Sequence, residues 1–123
     1  MTFDDDAFGY DQVTLDELQY RLHKTAKDSG WWDNERNFGE AVALMHSELS
    51  EALEAHRKDL MDDKLPHRKG VEVELADCII RILDFAEHLE LDIVGAIIEK
   101  DAINKTREDH KRENRNKPGG KSY

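Results

Sequence analysis

Cysteine is almost missing. Cys78 is the only one among 123 residues, so an intramolecular disulfide framework is impossible and a reducing compartment fits. Lying inside an apolar run, Cys78 reads as a buried structural thiol. Long hydrophobic runs are missing too, and no stretch approaches the roughly 20 apolar residues of a membrane span. The opening MTFDDDAFGY has neither the basic nor the apolar region of a signal peptide. These absences predict a cytoplasmic protein. Positive charge is in deficit: 18 Lys plus Arg face 28 Asp plus Glu, a formal net charge of −10. That balance argues against nucleic acid and anionic membranes as partners, since their phosphates would be repelled. It leaves a free nucleotide open, because a divalent cation can bridge acidic side chains to phosphates. The chain also has no glycine-rich phosphate loop, no Ser/His/Asp constellation and no zinc-ligand spacing.

What is present is helical patterning. Residues 1–12 are acidic and aromatic without a period and read as an N-terminal arm. Thr14 and Glu17 have capping-box spacing and open a first helix with Leu15, Leu18 and Leu22 on one side, ended by Gly30. Asn37 and Glu40 repeat the device before a second helix that runs to about Lys58, with Phe38, Ala41, Met45, Leu49 and Ala52 as its apolar stripe. The charged segment from Asp59 to Gly70, with Pro66, reads as a loop. A third helix, about Val71 to Leu89, is apolar over much of its circumference (Leu75, Cys78, Ile79, Ile80, Ile82, Leu83, Phe85) and so predicts burial on several sides. Asp92 can cap a fourth helix carrying Ile93, Ile97 and Ile98. The domain is expected to span 13–112, and 113–123 to form a flexible tail. Four helices with little strand signal predict an all-α, four-helix-bundle-like domain. So short a domain buries only about two thirds of its unfolded surface and gains from oligomerising.

The second helix carries Glu48 and Glu51; the third carries Glu74 and Asp77. Acids three apart share a helix face, so each pair can offer oxygens to one hard cation such as Mg²⁺, with Mn²⁺ as the alternative. A pair at this spacing is more often plain solvated surface in so acidic a chain. Position shifts the weighting. Glu48 lies between Met45 and Ala52, and Glu74 between Val71 and Cys78, so these acids interrupt core-facing stripes. A buried carboxylate without a partner costs several kcal/mol, and a cation is the natural compensation. Glu54, one turn beyond Glu51, either assists or is ordinary surface. On the fourth helix the stripe Ile93, Ile97, Lys100, Asn104, Arg107 turns from apolar to cationic. Those cations either form salt bridges with the acids or grip phosphate oxygens. A di-iron site is disfavoured, because no histidine has an acid three residues before it. Of Trp31 and Trp32, one is expected to pack near the start of the second helix and one to stack on a ligand ring.

The ordered set Glu48-x-x-Glu51, Glu74-x-x-Asp77 and Lys100-x-x-x-Asn104-x-x-Arg107, with HSELSEALEA at 46–55, ELADCIIRI at 74–82 and WWDNERNFGEA at 31–41, resembles the MazG-like all-α nucleoside triphosphate pyrophosphohydrolases. The likeness covers about residues 12–110. It implies Mg²⁺ ligands at Glu48, Glu51, Glu74 and Asp77, and nucleotide contacts from Lys100, Asn104 and Arg107. It implies cleavage between the α- and β-phosphates to a nucleoside monophosphate and pyrophosphate, with Glu48 or Glu51 activating water. It also implies a bundle completed by a homodimer or homotetramer. After Arg107 the chain departs from the pattern with Glu108, Asp109 and His110, and nothing is carried over beyond that point. The alternative is a non-catalytic helical interaction module whose acids are salt-bridge partners.

Overall fold

Three of the four helices among the described residues begin where a side chain replaces a missing backbone partner. In the computed structural model, which describes residues 12–107 and Pro118, α1 is Leu15–Asp28, α2 Phe38–Arg57, α3 Gly70–His88 and α4 Ile93–Thr106. The fold is all-α. Thr14 accepts from the Glu17 amide, and the Glu17 side chain returns to the Thr14 amide, completing the capping box. Asn37 caps α2 through the Glu40 amide and Asp92 caps α4 through the Gly95 amide, whereas α3 starts at Lys69 with no side-chain cap.

The first three helices end alike. Trp31 N–H bonds Ala26 C=O, Leu60 bonds Ala55 and Leu91 bonds Ala86, each across a residue in the left-handed region. These are Schellman turns. Gly30, with φ 89°, takes that position in the first; Asp59 and Glu90 take it in the others with φ 52° and 57°. The expected arm and tail lie almost wholly outside the described residues.

The chain divides into two compact units between Leu91 and Asp92. In the first, α2 and α3 pack along each other and α1 packs on α3. Its core is small-featured: Ala52, Ala55, Cys78, Leu83, Phe85 and Ala86. Small residues let α2 and the start of α3 approach closely. A Cβ on Gly70 would stand 3.0 Å from the Ala55 Cβ and 3.0 Å from the Leu60 carbonyl oxygen. The Gly70 amide also bonds that carbonyl at 2.8 Å. The intervening loop, 59–69, carries the isolated bridge between Met61 and Lys69; the described residues contain no strand.

Two expected faces differ from the observed ones. The buried stripe of α2 is Glu48, Ala52 and Ala55, while Phe38 is 61 % exposed and Leu49 46 %. The helix has turned so that small residues and one acid meet α3. On α3, Cys78, Leu83 and Phe85 are buried as expected, but Leu75, Ile79, Ile80 and Ile82 are exposed. The second unit contains α4, which has no buried residue; Ile97, Ile98 and Ile103 are all more than half exposed.

Candidate metal centre and adjoining cavity

Carboxylates on two packed helices converge because Glu48 faces α3 from the buried stripe of α2, while Glu74 and Asp77 follow each other on α3. One oxygen from each of Glu48, Glu74 and Asp77 lies within 4.8 Å of the others. Glu48 is buried, with 8 % exposure, and Glu74 and Asp77 are half-buried. Glu74 Oε2 is buried without a hydrogen-bond partner. Such an oxygen ordinarily costs about 1–3 kcal/mol unless something donates to it or coordinates it.

Electrostatics strains the cluster. Burial, then side-chain hydrogen bonding with Glu48 and Glu51 and the charges of Glu51 and Asp77, pushes the Glu74 carboxyl up to about 7. Burial and the charges of Glu48, Asp62 and Glu51 raise Asp77, opposed in part by Arg81. Like charges gathered in partial burial favour the neutral acid, and a divalent cation relieves the same repulsion. A set of hard oxygens with one orphaned buried acceptor suits Mg²⁺ or Mn²⁺.

Three of the four expected ligands therefore meet. Glu51 is exposed on the next turn of α2 and stands outside the three-oxygen set, though close enough to raise Glu74. Glu54 is exposed, lines a small acidic hollow of about 160 Å³ with Glu51, Asp62, Asp63 and Glu74, and pairs with Lys58. On α4, Lys100 is exposed, whereas Asn104 and Arg107 are half-buried; Arg107 Nη1 donates to Asn104 Oδ1 at 3.5 Å. These three residues belong to the second unit.

A cavity of about 460 Å³ opens among α1, α2, α3 and the turn after α1, walled by Trp31, Met45, Glu48, Asp77, Arg81 and Phe85 among others. The two tryptophans part company here. Trp31 lines the cavity, with Arg36 lying over its ring at 3.5 Å from the centroid and donating from Nε to the Trp31 carbonyl. Trp32 belongs to an aromatic cluster: it stacks on His88 at 3.9 Å and 13°, and meets His23 and Phe85 at 5.7 and 5.6 Å. Its Nε1–H donates to Asp84 Oδ1 at 2.9 Å, the same oxygen that holds His23 Nδ1 at 2.7 Å.

Residues absent from the sequence reading complete the site. Arg81 Nε donates to Glu48 Oε1 at 3.0 Å. Asp84 is buried and ties α1 and the Trp31–Trp32 turn to α3. Buried Gln19 donates to Glu87 and to the Leu91 carbonyl, fastening α1 to the end of α3. Spacing on α3 was the available signal: Glu74, Asp77, Arg81, Asp84 and His88 step by three and four along one face. Comparison of the chain with protein-family models, curated proteins and solved structures finds no match.

Proposed function

We propose that this protein is a divalent-cation-dependent nucleoside triphosphate pyrophosphohydrolase of the MazG-like kind, acting in the cytoplasm as a homodimer or homotetramer. The observation that carries the reading is the meeting of Glu48, Glu74 and Asp77 from two helices within 4.8 Å, with an unsatisfied buried oxygen among them. A bound Mg²⁺ would neutralise phosphate oxygens and lower the pKa of a water. Glu48, Glu74 and Asp77 would hold the cation, and Glu51, exposed beside them, would orient and deprotonate the attacking water or complete the ligand set. Water adds to the α-phosphorus, the bond to the β-bridging oxygen breaks, and pyrophosphate leaves. The resemblance assigns phosphate and sugar contacts to Lys100, Asn104 and Arg107 of the second unit. Trp31, which lines the cavity, stacks on the base, a contact of about 1–3 kcal/mol. Trp32, engaged by Asp84 and His88, supports the turn.

The oligomer is supported by the exposed aliphatics of α2 and α3, among them Leu49, Leu53, Leu75 and Ile79. The same faces, together with the Arg81–Glu48 pair, favour the second reading, a helical interaction module without catalysis. Incubation with a panel of NTPs and dNTPs in Mg²⁺ separates the two. Equal release of nucleoside monophosphate and pyrophosphate is expected. No release from any member of the panel, by an oligomeric and folded protein, would decide for the interaction module.

A further inference from the structure

Arg81 is paired with the acid cluster, and its partner is one of the acids the proposed site needs. Its Nε bonds Glu48 Oε1 at 3.0 Å, with the two side chains 31 % and 11 % exposed. It stands one turn beyond Asp77 on the same face of α3, and its charge offsets part of the upward shift of that acid. It also lines the cavity beside Trp31, with its guanidinium carbon 5.6 Å from the Trp31 ring centroid. Arg81 thus lies between the three-carboxylate cluster and the aromatic wall.

This position creates a competition. The Glu48 oxygen that accepts from a guanidinium is less available to a metal ion, and a fixed positive charge at the cluster's edge opposes a second one arriving. Among the described residues no salt bridge holds Glu74 or Asp77, so the direct contest for an oxygen is at Glu48. When a divalent cation draws Glu48 toward Glu74 and Asp77, the guanidinium loses its carboxylate. It remains half-buried in the cavity wall, with five donors in a planar fork suited to phosphate oxygens.

We propose that Arg81 is a cation-released phosphate-binding residue: Glu48 holds it while the acid cluster lacks a metal ion, and the ion frees it to grip the polyphosphate of the incoming nucleotide. The inference rests on the metal-dependent nucleotide reading and adds a binding order to it, since Arg81 makes metal and nucleotide reinforce each other. Removing the arginine therefore has opposite effects on the two ligands. Metal alone binds more tightly because a competing charge has gone, while the nucleotide binds less tightly because a phosphate partner has gone. A purely structural salt bridge predicts no such split.

The test is calorimetric titration of wild type, Arg81→Gln and Arg81→Lys with Mn²⁺ alone, and with α,β-methylene nucleotide analogues in Mn²⁺ or in EDTA. In wild type, Mn²⁺ should tighten analogue binding by about tenfold or more, a usual size for coupling between two sites. Arg81→Gln should bind Mn²⁺ alone several-fold more tightly and lose most of the coupling. Arg81→Lys, which keeps the charge without the fork, should retain weak Mn²⁺ binding and recover only part of the coupling. Unchanged melting temperature and circular dichroism show that the variants are folded; a variant that fails this is replaced by Arg81→Met. If wild type binds Mn²⁺ and analogue but Arg81→Gln keeps the full coupling, the arginine proposal falls and the site reading stands. If wild type binds no Mn²⁺, both fall.

Discussion

Helix α3 has two faces that reverse the usual arrangement. One, running Glu74, Asp77, Arg81 and Asp84, turns its polar groups inward, toward α2 and the turn before it; all four are half-buried or buried. The other, Leu75, Ile79 and Ile82, leaves aliphatic side chains exposed, Ile79 by 51 %. The inner face gathers charge where desolvation opposes it, and the outer face forgoes the roughly 25 cal/mol per Å² that burial would contribute. Neither face is arranged for the stability of one chain. An inward acid face fits a site that binds a cation, and an outward aliphatic face fits association with another chain. The acids limit where stability can be gained, and the proposed interface restores it.

The largest expected effect comes from breaking the inner face. Asp77→Asn, or Glu74→Gln, keeps side-chain shape but removes a charged oxygen. Mg²⁺-dependent pyrophosphate release should drop by at least about a hundredfold, the scale of losing an electrostatic catalytic group, while helical circular dichroism persists. Full turnover in either variant would make the inner acids structural. The outer face is tested by Ile79→Glu. Light scattering at micromolar concentration should give wild type at least twice the single-chain mass, and the variant the single-chain mass. A wild-type monomer would leave the exposed aliphatics without their proposed role.

A smaller effect concerns pH in the metal-free protein. The Glu74 carboxyl is raised to about 7 by burial and then by its neighbours, and Asp77 is raised in the same direction. A folded state that holds its protons more tightly than the unfolded chain is favoured at low pH. That contribution is complete below the ordinary glutamate value and is lost as pH rises toward about 7. Melting temperature without metal should fall by roughly 5–10 °C across this window. Glu74→Gln should flatten the dependence, and a divalent cation should restore stability at neutral pH. A metal-free melting temperature that rises over the window would contradict the clustered-acid description. The smallest effect touches neither face. Glu90 ends α3 with φ 57°, a conformation that costs a side chain about 1 kcal/mol relative to glycine. Glu90→Gly should therefore raise chemical-denaturation stability by up to about that amount with the metal site unchanged.

Several of these features are written in short stretches of sequence. Thr14 with Glu17, Asn37 with Glu40, and Asp92 set helix starts through bonds that reach three residues along the chain, and Gly30 supplies the φ of 89° that closes α1. The two acid pairs were legible for the same reason, since spacing on one helix fixes which residues share a face. Which acids meet was not legible. Glu48, Glu74 and Asp77 converge while Glu51 stays outside because small residues at Ala52, Ala55 and Gly70 set how α2 lies against α3. The apolar richness of α3 was equally plain, yet sequence could not say that Ile79 would face out and Asp84 in, because a helix apolar on most sides gives no preferred rotation.

The partnerships that finish the site span the chain: Arg81 to Glu48 over 33 residues, Trp32 to Asp84 over 52 and His23 to Asp84 over 61. The helices, their caps and the candidate ligands were legible in the residue order, because those depend on contacts within one turn or on periodicity along one element. The rotation of α3, the separate surroundings of Trp31 and Trp32, and the hold of Arg81 on Glu48 came only with packing. Each of these depends on how helices distant in sequence pack, and that is set by side-chain size at their contacts and by which buried polar groups find partners.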